Sequence, residues 1–133
     1  GDKIVKDEYE KFSVYFNFDN GSGRIRGINT HGNLAASEVF KDWFAPLEDL
    51  ETGTVAPNGS GGSDHVAFQS VGLPGYQFIV DRLDYFSRTW LTQLDTIDNA
   101  HEKDLKQAAV IMAAFIYNAS MADERFPRRP STD

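Results

Sequence analysis

Residues able to do chemistry cluster at two places in this sequence. Asp19 ends the run Phe12-Ser13-Val14-Tyr15-Phe16-Asn17-Phe18 and heads the turn Asn20-Gly21-Ser22-Gly23. A carboxylate at a strand end stands where open α/β sheets hold their ligands, outside the carboxyl ends of the strands. Two roles are open to it: ligand to a hard or borderline cation, or turn residue accepting from local backbone amides. The second place is Gly61-Gly62-Ser63-Asp64-His65, which joins a flexible approach, a capping hydroxyl or carboxylate and an imidazole. It could orient a ligand or a metal-bound group, or it could be a helix cap followed by a solvent-facing histidine. His31, beside Gly32, and His101, before a helical segment, read as surface residues.

Other chemistries lack their patterns. The glycines at 21 and 23 and at 59, 61 and 62 match neither GxGxxG nor GxxxxGK[ST], so nucleotide binding is unsupported. No GxSxG elbow is present, and Ser63-Asp64-His65 are sequence neighbours, which do not converge as a triad does. The chain has no cysteine, which excludes disulfides, thiolate metal sites and a cysteine nucleophile. Any metal would need His, Asp or Glu.

The elements that must position these residues follow from periodicity and punctuation. Phe12, Val14, Phe16 and Phe18 alternate with smaller or polar residues, the period of a strand. Asp19 to Gly23 tolerate positive φ, so the chain is expected to reverse there into a second strand, Arg24 to Asn29, making a hairpin with Asp19 at its mouth. Apolar residues at Phe40, Trp43, Phe44 and Leu47 predict an amphipathic helix over 34–50, capped by Asn33 and shortened or kinked at Pro46. A short strand is expected at Thr54 to Ala56 and a loop over 57–63. Ser63 or Asp64 would cap a short helix to Val71, and Gly72-Leu73-Pro74-Gly75 would end it before the apolar strand Tyr76 to Val80. A long loop carries Tyr85, Phe86, Trp90 and Leu91. A last helix, from about Glu102 to Asp123, is expected to bury Leu105, Ala108, Ala109, Met112, Phe115, Ile116 and Ala119.

Alternating strands and helices make the class α/β: a mixed sheet of about four strands flanked by helices. The 133 residues, 41% hydrophobic, suit one domain over 1–126 with a flexible tail at 127–133. A net charge of −7 argues against nucleic acid, whose binders cluster Lys and Arg; Arg128-Arg129 is the one small basic pair. No run approaches the roughly 18 apolar residues of a membrane helix. Gly1 and the charged start carry no export pattern and read as an internal beginning. Asn118-Ala119-Ser120 matches the glycosylation pattern but falls on a helix of buried type, so it reads as chance.

Four segments, YFNFDNGSGRIRGI, GGSDHVAFQSVGLPGYQFIVD, DYFSRTWLTQLDTID and DLKQAAVIMAAFIYNASMADERFPRRP, taken in order, resemble the C-terminal half of the zinc-dependent exopeptidases of the M28 aminopeptidase and carboxypeptidase family. The resemblance runs from about Phe12 to Arg129 and is nearest to the carboxypeptidase Q-like and bacterial aminopeptidase branches. It implies a zinc-exopeptidase fold acting on peptide ends, with two zinc ions and a glutamate that activates the bridging water. It matches Asp19 to a metal-ligating aspartate. It matches Asp64 and His65 to the [ST]-D-H segment that supports the site from behind and from the substrate side. Asp95 matches the aspartate of H-[ST]-x-x-D-T.

One departure stands out. Where the family has two histidines before Thr or Ser, this chain has Trp90-Leu91-Thr92, and leucine offers zinc no lone pair. The resemblance places the family's remaining ligands and general-base glutamate before Gly1. Of the usual ligands Asp19 alone remains, and a catalytic zinc needs about three protein ligands plus water. Catalysis and tight zinc binding by this chain alone are therefore not expected. The expected partners are a peptide substrate in the parent family and either further copies of the chain or an N-terminal half, paired along exposed strand edges. A non-catalytic interaction domain, with Trp90 and Leu91 filling the old metal cleft, is the alternative. Family members are commonly exported, so a periplasmic or extracellular origin is implied.

Overall fold

The structure is a computed structural model, and it describes Ile4 and residues 6–130. Strands β1 (Tyr15–Asn17), β2 (Ile25–Asn29), β3 (Thr54–Ala56) and β4 (Gly75–Val80) form one mixed sheet in the order β1-β4-β2-β3. β1 runs parallel to β4, β4 antiparallel to β2, and β2 parallel to β3. The helices are α1 (Asp7–Lys11), α2 (Leu34–Phe44), α3 (His65–Gln69) and α4 (Glu102–Met121).

The expected hairpin does not form, because β4 lies between β1 and β2. The reversal over 19–24 must therefore cross the end of β4, two strand spacings or roughly 10 Å, instead of turning tightly. Glycine makes that crossing possible. Asn20 and Gly21 take φ of 73° and 122°, and a Cβ on Gly23 would stand 2.1 Å from the Asp81 carbonyl oxygen. Residues with side chains could not pass so close to the strand beneath.

The local signals around α2 hold. The Asn33 side chain accepts from the Ala36 amide, and past Phe44 the chain tightens into a 3₁₀ segment, Ala45–Leu50, that carries Pro46 near its start. Phe40 and Phe44 then meet Ile25, Ile28, Phe78, Ile111 and Phe115 in the core. Phe115 is fully buried, with its ring 5.7 Å from those of Phe16 and Phe40 and 5.4 Å from that of Phe78. By alternation Tyr15 and Gly75 face the opposite side, where Phe68 of α3 stacks on Tyr15 at 4.3 Å.

The buried face of α4 is turned from the expected one. Gln107, Ala108, Ile111 and Phe115 are buried, while Leu105 and Ile116 are exposed. The cause is Gln107. Its carboxamide accepts from the Ile25 amide and donates to the Ile25 and Leu50 carbonyls, satisfying backbone groups that would otherwise be orphaned in the core. Of the segment expected as a tail, 127–130 are described. The Pro127 carbonyl accepts from Asn33 and Arg128 lies 4.6 Å over the Tyr9 ring; 131–133 fall outside the described residues.

Candidate functional site

The carboxyl ends of β1 and β4 point the same way because the two strands are parallel, and the chain leaves both into a cleft of about 340 Å³. Phe18 and Asp19 follow β1, and Arg82 to Tyr85 follow β4. Thr89, Asp95 and the 99–101 segment before α4 close the rest of the wall. Ser22 pins that last wall by donating to the Asn99 carbonyl at 2.7 Å.

Asp19 is held by two donors. The Asn20 amide donates to its Oδ1 at 2.7 Å, and the Ser63 hydroxyl donates to its Oδ2 at 2.6 Å. Ser63 in turn accepts from Asn17 Nδ2 at 2.7 Å. Asn17 also donates to the buried Gln77, whose own amide donates to the Asp19 carbonyl at 3.1 Å. The network links β1, β4 and the glycine-rich loop, and it fixes the carboxylate before any ligand arrives.

Past β4 the chain makes a π-helical turn, Tyr85–Thr89, in which the Thr89 and Trp90 amides reach back to the Asp84 and Tyr85 carbonyls at 3.2 and 2.8 Å. Such turns are wider than an α-turn and recur at functional sites. This one sets Tyr85 against Gly21 and turns the buried Thr89 into the cleft. Burial raises the Tyr85 phenol above its usual range, and the negative charges of Asp19 and Asp95 push the same way. Both carboxylates therefore act on one hydroxyl.

The expected site residues divide into two sets. Asp19 and Asp95 share the cleft. Asp64 is exposed and His65 fully buried, and neither lines it. His65 Nε2 lies 2.7 Å from the Ser60 carbonyl, while its Nδ1 has no partner. Nor does Asp64 or Ser63 cap α3: Asp64 precedes the helix without a side-chain cap bond, and the Ser63 hydroxyl is spent on Asp19. Trp90 and Leu91 do not fill the cleft either; Leu91 is 87% exposed and takes φ of 55°. Phe86, whose ring meets that of Trp90 at 5.6 Å, and Leu94 and Ile97 later in the same segment are exposed as well.

His31 departs from the surface reading. Its Nε2 is buried without a partner, and its ring lies 5.1 Å from that of His65. His101 is exposed and stands on the cleft wall. Asn17, Gln77 and Tyr85 were not singled out from the sequence, and Ser63 was read only as a capping hydroxyl. The signal that could have found Asn17 and Gln77 is their polarity at strand positions facing away from the core.

A zinc ion would need donors that the described residues do not bring together: no group of three or more His, Asp or Glu among them is placed to hold a metal. No helix among the described residues is long and apolar enough to cross a membrane.

The family model for peptidase family M28 matches residues 2–116. Among solved structures, the fold is similar to that of a peptidase M28 precursor from Shewanella amazonensis. That pair has 24% identity and a TM-score of 0.72, over 88% of this chain and 27% of that one. It is also similar to a zinc aminopeptidase from Bacillus subtilis, with 21% identity and a TM-score of 0.65, over 92% of this chain and 33% of that one. No curated protein matches the sequence. The chain thus spans about a third or less of the solved relatives it matches.

Proposed function

The chain belongs to peptidase family M28, and from that premise we propose that it is the C-terminal portion of a zinc-dependent exopeptidase, inactive as this chain alone. The observation that supports this reading is the Asp19 cleft: a pre-oriented carboxylate at the end of a parallel strand, around which the described residues gather no group of three or more potential ligands. Asp19 is the residue this chain contributes to the metal. Leu91 stands where the histidine of the family pattern is expected and points to solvent. The remaining ligands and the base come from a segment outside these residues.

That segment has a place to join. β1 is an edge strand, paired with β4 on one side and with no strand on the other among the described residues. Unpaired edge amides and carbonyls template pairing with another strand. Here the occupant is the N-terminal half or, in its absence, a second copy. The exposure of Phe86, Trp90, Leu91, Leu94 and Ile97 along one segment favours a second reading, a non-catalytic interaction domain that uses these apolar side chains.

Calorimetric titration of zinc into the purified chain near neutral pH tests the proposal. The expected result is no binding tighter than about 10 μM, roughly −7 kcal/mol. Stoichiometric binding tighter than that would overturn it, because the ligands would then have to converge within this chain. Sedimentation at micromolar concentration tests the edge, and a clean monomer would argue against self-pairing.

A further inference from the structure

A second cavity, of about 460 Å³, opens at the opposite end of the strands from Asp19 and shares no lining residue with the first. Pro74 and the first residues of β4, Gly75 and Tyr76, line it together with His31 and Asn33 from the turn after β2 and with Arg128 and Arg129. Its charge is unlike that of the rest of the molecule. The chain carries 20 Asp and Glu against 13 Lys and Arg, yet the cavity is lined by two guanidinium groups and by no carboxylate.

The two arginines are held differently. Arg128 is fixed in place, lying over the Tyr9 ring and donating to the Tyr9 carbonyl at 2.7 Å, with Glu10 Oε1 3.9 Å away. Arg129 makes no hydrogen bond and no ion pair among the described residues. Behind them stands Tyr76, 3% exposed, whose oxygen accepts from Asn33 Nδ2 at 3.0 Å. Burial pushes its pKa up to about 12, so the hydroxyl keeps its proton, and that proton has no acceptor among the described residues. His31 adds a buried Nε2 without a partner. It is neutral at physiological pH, since burial, His65 and Arg129 push its pKa down to about 4.

Arg128, Arg129 and the Tyr76 hydroxyl all offer hydrogen to the cavity, so what completes it must accept. Guanidinium groups present a planar fork that matches the oxygens of carboxylate and phosphate. A cavity of this size lies within the roughly 300 to 1,000 Å³ of small-molecule sites, large enough for an anionic head on a small organic body. We propose that this cavity is an oxyanion-binding site, in which Arg128, Arg129 and Tyr76 donate to the carboxylate or phosphate group of a small molecule. Nothing in this site depends on the peptidase reading.

The test is a thermal-shift and calorimetric titration of the whole chain with inorganic phosphate and, separately, with succinate, at constant ionic strength against chloride. Two variants accompany it. Arg129→Gln removes an exposed charge that is unpaired among the described residues and should leave the melting temperature unchanged; Tyr76→Phe keeps the ring and removes the donor. The wild type should bind at least one anion saturably. Arg129→Gln should weaken that binding about tenfold or more, as expected for loss of a charge-assisted bond. Tyr76→Phe should weaken it less. Preference for phosphate identifies a phosphate-bearing ligand, and preference for succinate a carboxylate. No saturable binding of either, a response equal to that of chloride, or equal affinity in Arg129→Gln would overturn the proposal.

Discussion

Replacing Ser63 with alanine should destabilise the chain by about 2 kcal/mol through the Asp19 network. The hydroxyl gives a 2.6 Å bond to the Asp19 carboxylate and takes a 2.7 Å bond from Asn17, itself 7% exposed. A hydrogen bond to a charged group contributes roughly 1.5 to 3 kcal/mol, and the half-buried position keeps water from replacing it fully. Asn17 retains Gln77, so its own loss is partial. For a domain of this size each kcal/mol moves the melting temperature by about 3 to 5 °C, so the expected drop is about 6 to 10 °C. A simple helix cap would also cost about 1 kcal/mol on removal, and for that reason the single variant does not decide the matter. The deciding assay is a double-mutant cycle by urea denaturation, combining Ser63→Ala with Asp19→Ala. The structure requires a coupling of about 1 to 2 kcal/mol, because the bond exists only when both partners do. A coupling below about 0.5 kcal/mol would refute the reasoning and leave Asp19 as a turn residue held by Asn20 alone.

Gly27→Ala should cost about 3 kcal/mol or more, since the added Cβ would stand 1.9 Å from the Thr54 carbonyl oxygen and force β2 from β3; the urea midpoint reads this directly. Leu91→His should leave stability unchanged or raise it by up to about 1 kcal/mol, because the side chain is 87% exposed and histidine tolerates φ of 55° better than leucine. A loss larger than about 1 kcal/mol in thermal melts would mean that Leu91 is packed against a second molecule. His31 is neutral in the folded chain down to about pH 4, whereas its unfolded value is 6.5, so the unfolded state takes up the proton first. Its contribution to stability is complete above pH 6.5 and is lost as pH falls from there towards 4. His31→Asn, which suits the positive φ at that position, should flatten this decline in melting curves taken across the window.

What was legible in the sequence was local. Asn33 as a cap, the break at Pro46, the strand at Thr54–Ala56 and the strand expected from Tyr76 to Val80, which the structure starts one residue earlier at Gly75, each follow from residues within a few positions of one another. What was not legible depended on distant partners. Nothing between Phe12 and Asn29 says that a strand starting at Gly75 will wedge between β1 and β2. Gln107 looks like a solvent-facing residue until Ile25, far away in sequence, presents an amide and a carbonyl to it. Ser63 had two possible jobs, and the choice between a cap and a carboxylate was made by Asp19, which the fold brings next to it.

The same crossing that defeats the hairpin reading builds the site. With β4 between β1 and β2, the chain after Asp19 must climb over the end of β4, and Gly21 and Gly23 press it against Tyr85 and Asp81. Asp19 is thereby held on the shoulder of a neighbouring parallel strand, beside Tyr85 and Asp95, in place of being spent at the tip of a tight turn. A carboxylate has about four lone-pair positions, and Asn20 and Ser63 use two of them. The bonds orient the group without exhausting it, so acceptor capacity remains towards the cleft. On the proposed reading, an oriented carboxylate with unused lone pairs, around which the described residues gather no group of three or more potential ligands, is what one part of a metal centre would present. If a ligand-bearing segment completes the site as proposed, it brings donors to a group already aimed, and the affinity of the completed site for zinc should fall when Ser63 is removed even though Ser63 itself bonds Asp19 and not the metal.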